Sequence, residues 1–327
     1  MTRPLEESAL RIDRRAVLQW SAASLCGALT ASRAAAAEEP RQAERSKPTD
    51  FQIACMTLPY SQVPLSRALS GIKGAGYSYV AWGTTHKEEN GQVRPVLAPD
   101  APSAEAKELA KRCRDLGLEP VMMFSMIYPE HDDAPKVLAS RVKQAAAAGI
   151  PQVLTFGHTE GGKAEVWLKR FKELGPVAAE HNVTVVVKQH GGTTGTGEAC
   201  AKIVREVNHP AIQVNYDAGN VMDYLNVDPL PDLEKCVDVV RSFCIKDHRN
   251  WPRDEDCGPG FGEIDHYRLL GQVAFTGRRM PLCCENIWAP LVPRPADPVG
   301  IDALARRARE YLELVIQGLQ SNQAKKP

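Results

Sequence analysis

Eight short runs of apolar, β-branched or aromatic residues recur along this chain, each followed by a segment of helical periodicity, and that alternation leaves few folds open. The strand-like runs are Phe51–Leu58, Tyr77–Trp82, Leu118–Met126, Gln152–Phe156, Val183–His190, Ile212–Asp217, Ser242–Asp247 and Pro281–Glu285. Apolar residues at period 3.6 predict helices over 65–75, 103–116, 134–148, 163–181, 196–208, 230–240, 263–275 and 301–318. Gly76, Gly117 and Gly149, the last shortly before Pro151, supply helix stops. Strand and helix alternating in this way predict an α/β fold, a closed (β/α)8 TIM barrel over residues 51–320. The competing doubly wound open sheet usually carries a glycine-rich phosphate turn after its first strand, where this chain has Thr57-Leu58-Pro59-Tyr60. The glycine-rich stretch Gly191–Gly197 lacks both the P-loop Lys-Ser/Thr and the dinucleotide spacing, so it reads as a shaped loop at the site.

Several of these runs stop at an ionisable residue. Period-2 alternation puts Lys188 and His190 on one face of the fifth strand, and Cys244, Lys246 and His248 on one face of the seventh. Asp217 and Glu285 end the sixth and eighth. Strand ends of a barrel converge on one rim, so these residues predict a site there. Their structural alternatives are an ion pair or helix cap for the two acids, and a hydrogen bond to the following glycine turn for His190. His86 and His158 follow the second and fourth strands on the same rim, while His131, His181, His209 and His266 fall in loops or helices and read as solvated.

The N-terminal 37 residues stand apart. Arg14-Arg15, a weakly apolar Ala/Ser/Leu-rich run and the Ala34–Ala37 tract resemble a twin-arginine export signal, with cleavage expected after Ala37. That reading places the mature protein in the periplasm or outside the cell, with a linker over 38–50 and a polar tail over 321–327. No later stretch reaches the roughly eighteen apolar residues of a membrane span. The formal charge is zero, which argues against a nucleic-acid partner held by bulk electrostatics. The cysteines show no C-x-x-C spacing and read as buried small hydrophobes.

Taken in order, four stretches resemble the xylose isomerase-like TIM barrels, the sugar phosphate isomerase/epimerase superfamily. They are Ala68-Leu69-Ser70-Gly71-Ile72-Lys73-Gly74-Ala75-Gly76-Tyr77, Ile245-Lys246-Asp247, Gly258-Pro259-Gly260-Phe261-Gly262-Glu263-Ile264-Asp265, and Glu285 at the end of strand eight. The resemblance implies a divalent metal (Mn, Co, Zn or Mg) held by Glu, Asp, His and Glu at strands five to eight, with the glutamates moving a proton through an enediolate. By position Asp217 and Glu285 match two ligands, His190 matches a histidine two residues beyond the first, and Asn220 stands where relatives bind substrate through a histidine.

Lys188 and Cys244 stand where a glutamate and a histidine are expected, which puts the metal in doubt. Three outcomes stay open. Lys188 replaces the ion's charge by pairing with Asp217 and Glu285; a rearranged metal site uses Asp217 and Glu285 with His190 or His248; or a desolvated lysine acts as base or imine-forming nucleophile.

The resemblance thus implies an isomerase or epimerase for a neutral sugar, keto-sugar or polyol, with Glu285, Lys188 and His190 catalytic. Asn220, Lys246, His248, His86 and His158 are then expected to bind substrate, and Trp82 and Trp288 to stack on a sugar ring. A barrel that only binds sugar or protein, and a metal-free lyase, are the alternatives. A zinc nuclease of the related barrel type would need more histidine and acidic ligands and a basic footprint.

Overall fold

The computed structural model describes residues 47–321; the expected export signal, most of the linker and all but the first residue of the polar tail lie outside them. Strands β1 (Asp50–Met56), β2 (Tyr79–Trp82), β3 (Glu119–Phe124), β4 (Gln152–Thr155), β5 (Thr184–Lys188), β6 (Ile212–Tyr216), β7 (Val240–Ile245) and β8 (Arg279–Cys284) close a barrel in sequence order. All neighbours are parallel, and β1 completes the ring by pairing with β8 from Asp50↔Arg279 to Cys55↔Cys284. Both faces of such strands are covered, which is why Val185, Val186 and Val187 form a continuous apolar run and are all fully buried.

Helices α1 (Leu65–Gly74), α2 (Ser103–Asp115), α3 (Ala134–Ala148), α4 (Ala164–Glu180) and α5 (Gly197–Val207) follow the first five strands. The predicted stops hold where chemistry demands them: α3 ends at Gly149 in the left-handed region, φ 70°. At the start of α5, Thr196 Oγ1 accepts from the Ala199 N–H at 3.0 Å.

The connections depart from expectation in four places. Helix α6 (Ala218–Leu225) starts directly after β6, because Asp217 ends the strand and caps the helix at once. The predicted 230–240 helix is only α7 (Pro229–Glu234), since Val240 already belongs to β7. Between β7 and α8 (His266–Gly271) the chain folds a hairpin, Asp247–Arg249 against Glu255–Cys257, and a smaller one, Thr85–Lys87 against Val93–Pro95, follows β2. The last helix, α9, runs over Pro298–Ser321.

Two apolar layers result. Ala54, Met56, Ala81, Met122, Phe124, Leu154, Val186, Cys244 and Cys283 fill the barrel, while the larger cluster lies between the strands and the helices. All eight described cysteines are free and buried, in line with their reading as small hydrophobes.

Candidate functional site

At the carboxyl end of the barrel the inward row of β5 passes from Val186 to Lys188. Lys188 is 2 % exposed, and its Nζ lies 2.6 Å from Glu285 Oε2 and 3.0 Å from Asp217 Oδ2. Phe124 and Phe156 stand around the ammonium, with ring centroids 6.0 and 5.7 Å away. Burial alone would lower the lysine pKa, but Glu285 and Asp217 outweigh it and hold the group well above its ordinary value. Burial likewise raises the Glu285 carboxyl, yet Lys188 and Lys246 bring it down to about 2. The lysine is therefore a fixed cation and Glu285 a fixed anion. That shift runs opposite to the lowered pKa that a lysine base or imine-forming nucleophile needs.

A second charged row adjoins the first. Lys246 Nζ meets Asp256 Oδ2 at 2.5 Å, and His248 Nδ1 donates to Asp256 Oδ1 at 3.2 Å. The Asp256 hydrogen bond raises the His248 pKa, against its burial. Asp256 comes from the hairpin that sequence periodicity does not reveal; eight residues separate it from the histidine it faces in the His248↔Asp256 register pair.

His190 lies past the end of β5. Its Nδ1 is 2.9 Å from the Gly157 carbonyl oxygen, which only accepts, so the proton sits on Nδ1 and Nε2 carries the lone pair. The ring packs on Phe156 at 4.4 Å and Tyr224 at 5.3 Å. Burial first, and then the charge of Lys188, lowers its pKa, so the ring is neutral near pH 7.

Asn220 is buried and structural on one side: its backbone N–H donates to Asp217 Oδ1 at 2.9 Å and its Nδ2 to the Gln189 carbonyl at 2.6 Å. Its Oδ1 is buried with no hydrogen-bond partner among the described residues. A cavity of about 390 Å³ opens beside Glu285, lined among others by Gln62, Lys246, Asp256, Trp288 and Arg294. Trp288 lines this cavity, and the Arg294 guanidinium lies over its ring at 4.9 Å.

Other expected residues are placed differently. Trp82 is 1 % exposed and packs outside the barrel wall, because its neighbour Ala81 takes the inward position. His86 is 1 % exposed, with its Nδ1 3.0 Å from the Val63 carbonyl oxygen. His158 is half exposed on the rim, stacked on Tyr128 at 3.9 Å and 3.4 Å from Glu130. His266, expected in solvent, is 1 % exposed and reaches the Ile264 and Lys246 carbonyls, and His209 is half-buried against Gly175.

Ligand atoms of Asp217, Cys244 and Glu285 lie within 4.8 Å of one another, the spacing of a metal site. The donors do not fit a divalent ion, because Lys188 Nζ already stands between the two carboxylates. A dication about 3 Å from that ammonium would be repelled by on the order of 10 kcal/mol at an effective dielectric of about 20. Nor does a rearranged site form with either histidine: His248 groups instead with Asp223 and Asp254, and His190 with no ligand set among the described residues.

The comparisons agree with this architecture. No curated protein matches the sequence. Among solved structures, an L-ribulose 3-epimerase superposes with a TM-score of 0.64 at 16% identity, over 84% of this chain and 99% of that one. A xylose isomerase-like TIM barrel protein from Mycobacterium smegmatis, in complex with magnesium, gives 0.63 at 15% identity over 84% and 98%. A xylose isomerase domain protein from Planctomyces limnophilus gives 0.62 at 15% over 84% and 99%. The family description that matches residues 70–313 is the xylose isomerase-like TIM barrel, so the closed barrel and the lysine-centred charge cluster at its mouth belong to a member of the xylose isomerase-like TIM barrel family.

Proposed function

We propose that the chain is an isomerase- or epimerase-type enzyme that removes a proton next to a sugar carbonyl without a metal. The observation that carries this is Lys188, a buried cation locked between Asp217 and Glu285 where a charge-stabilising group is needed. With a keto-sugar or polyol-derived ketone seated over it, His190 Nε2 takes the proton on carbon. The C–H electron pair moves into the C–C bond and the carbonyl pair onto oxygen, and Lys188 stabilises the resulting enediolate. Return of that proton from His190 to the neighbouring carbon, as the hydroxyl proton passes from one enediolate oxygen to the other, gives the isomer, whereas protonation of the original carbon from the opposite face gives the epimer.

This assigns the base to His190 rather than Glu285, since a carboxylate near pKa 2 holds protons too weakly for the task. Glu285 and Asp217 instead keep Lys188 charged and in place. The neighbour named L-ribulose 3-epimerase supports the sugar class. A single free base also suits a lyase, in which the same enediolate expels a leaving group from the next carbon.

Solvent-deuterium exchange into a panel of keto-sugars, followed by NMR, tests the reading. Exchange lost in His190→Ala but retained in His158→Ala supports it; binding without exchange in the unaltered protein would leave only a sugar-binding barrel. Export by the twin-arginine route is part of the proposal and is checked by N-terminal sequencing of the secreted protein, with Glu38 expected first.

A further inference from the structure

Arg294 lies in the wall of the cavity that opens beside Glu285, on the loop between β8 and α9. The charges around it are already matched. Glu285 and Asp217 are held by Lys188, and Asp256 by Lys246 and His248. Arg294 is the cation of that wall with no carboxylate partner among the described residues; its guanidinium carbon lies over the ring of Trp288, 4.9 Å from the centroid.

An exposed arginine is ordinarily hydrated and mobile, and needs no ligand. Arg294 differs because its surroundings fix it. Pro293 and Pro295 flank it and restrict the backbone. Gly300 lets Pro295 seat on α9: a Cβ there would stand 2.6 Å from the proline Cβ. The backbone that carries the stacking ring is held as well, since the Gly258 N–H donates to the Trp288 carbonyl at 2.8 Å and the Trp288 N–H to Asn286 Oδ1 at 2.9 Å. A guanidinium stacked on an aromatic face keeps its planar fork free for two parallel hydrogen bonds, the geometry that suits a carboxylate.

We infer that Arg294 selects an acidic sugar, a keto-uronate or aldonate whose carboxylate it grips while the rest of the sugar occupies the cavity beside Glu285 and Lys246. The inference rests on the site proposed above but narrows its substrate from neutral sugars to sugar acids. The other oxyanion that an arginine fork takes is a phosphate monoester, and the test separates the two.

The test is calorimetric titration of the protein with D-glucuronate, D-glucose and D-glucose 6-phosphate, repeated on Arg294→Gln. Glucuronate is expected to bind at least tenfold more tightly than glucose, and Arg294→Gln to remove that preference while leaving glucose affinity unchanged. Equal affinity for glucuronate and glucose, no detectable glucuronate binding, or a preference that survives in Arg294→Gln overturns the inference. So does an Arg294-dependent preference for the phosphate over the uronate. Binding is read without turnover, so a failure of the proton-transfer chemistry leaves this result intact, and a failure here leaves the deuterium-exchange test intact.

Discussion

Lys188 Nζ sits 2.6 Å from Glu285 Oε2, a contact that spans the barrel from β5 to the end of β8 and joins residues 97 apart in sequence. With Asp217 Oδ2 at 3.0 Å it makes one cation answer a buried and a half-buried acid. Each partner fixes the other's protonation state, and the consequences can be measured.

Removing the cation strands both acids. Lys188→Met should destabilise the protein by about 3–5 kcal/mol, the usual cost of leaving a buried charge unpaired. Adding Asp217→Asn and Glu285→Gln to that variant should recover most of the loss while restoring no activity. Urea unfolding midpoints of the single and triple variants check both statements.

Acid should act through Glu285. Its folded pKa, about 2, lies below the ordinary 4.5, so the stability it contributes is full above about pH 4.5 and is lost as pH falls through about 2. The gap corresponds to about 3 kcal/mol. In Glu285→Gln the slope of stability against pH across that window should flatten, as read from unfolding at stepped pH.

His190 titrates in the opposite functional sense. Its pKa is lowered from 6.5 by burial and by Lys188, so the neutral base persists through neutrality. The rate kcat/KM should be flat from pH 7 to 8 and fall only on the acid side of 6.5. An NMR titration of the His190 ring should report the same lowered value.

Asp247 holds the roof of the site. It is fully buried, Oδ1 accepts from the His248 and Ile264 N–H groups at 2.9 and 3.0 Å, and Oδ2 accepts from Gly260 at 2.9 Å. Asp247→Ala should cost about 3 kcal/mol by leaving those donors unmatched. It should also raise KM more than it lowers kcat, because the loop carrying Asp256 loses its anchor.

Converting the lysine should reopen the site to metal. Lys188→Glu places three carboxylates and the Cys244 thiol at one point, a donor set for zinc. Elemental analysis after zinc exposure should find about one additional equivalent in the variant.

The barrel was legible because parallel strands buried on both faces write themselves as short apolar runs, as in Val185–Val187. Lys188, Asp217, Glu285 and His190 were legible for the same reason: each ends such a run, and strand ends share a rim. Trp82 misled because the alternation places Ala81 inward, a one-residue phase that the run Tyr77–Trp82 does not fix on its own. Asp256 and Arg294 were missed because they sit on connections whose shape is set by distant partners. The hairpin that brings Asp256 to His248 is anchored by Asp247, and the proline loop carrying Arg294 rests on Gly300. Helix α6 was missed because Asp217 serves as strand end, charge partner and helix cap together, leaving no linker to mark the boundary.

The central claim is that Lys188 stands in the place of a metal ion, and calorimetric titration of the chelator-treated protein with Mn²⁺ and Zn²⁺ tests it most directly. The account predicts that any ion bound does so independently of Asp217, and that deuterium exchange is unchanged by chelation. One equivalent of metal that is abolished by Asp217→Asn and required for exchange would contradict it.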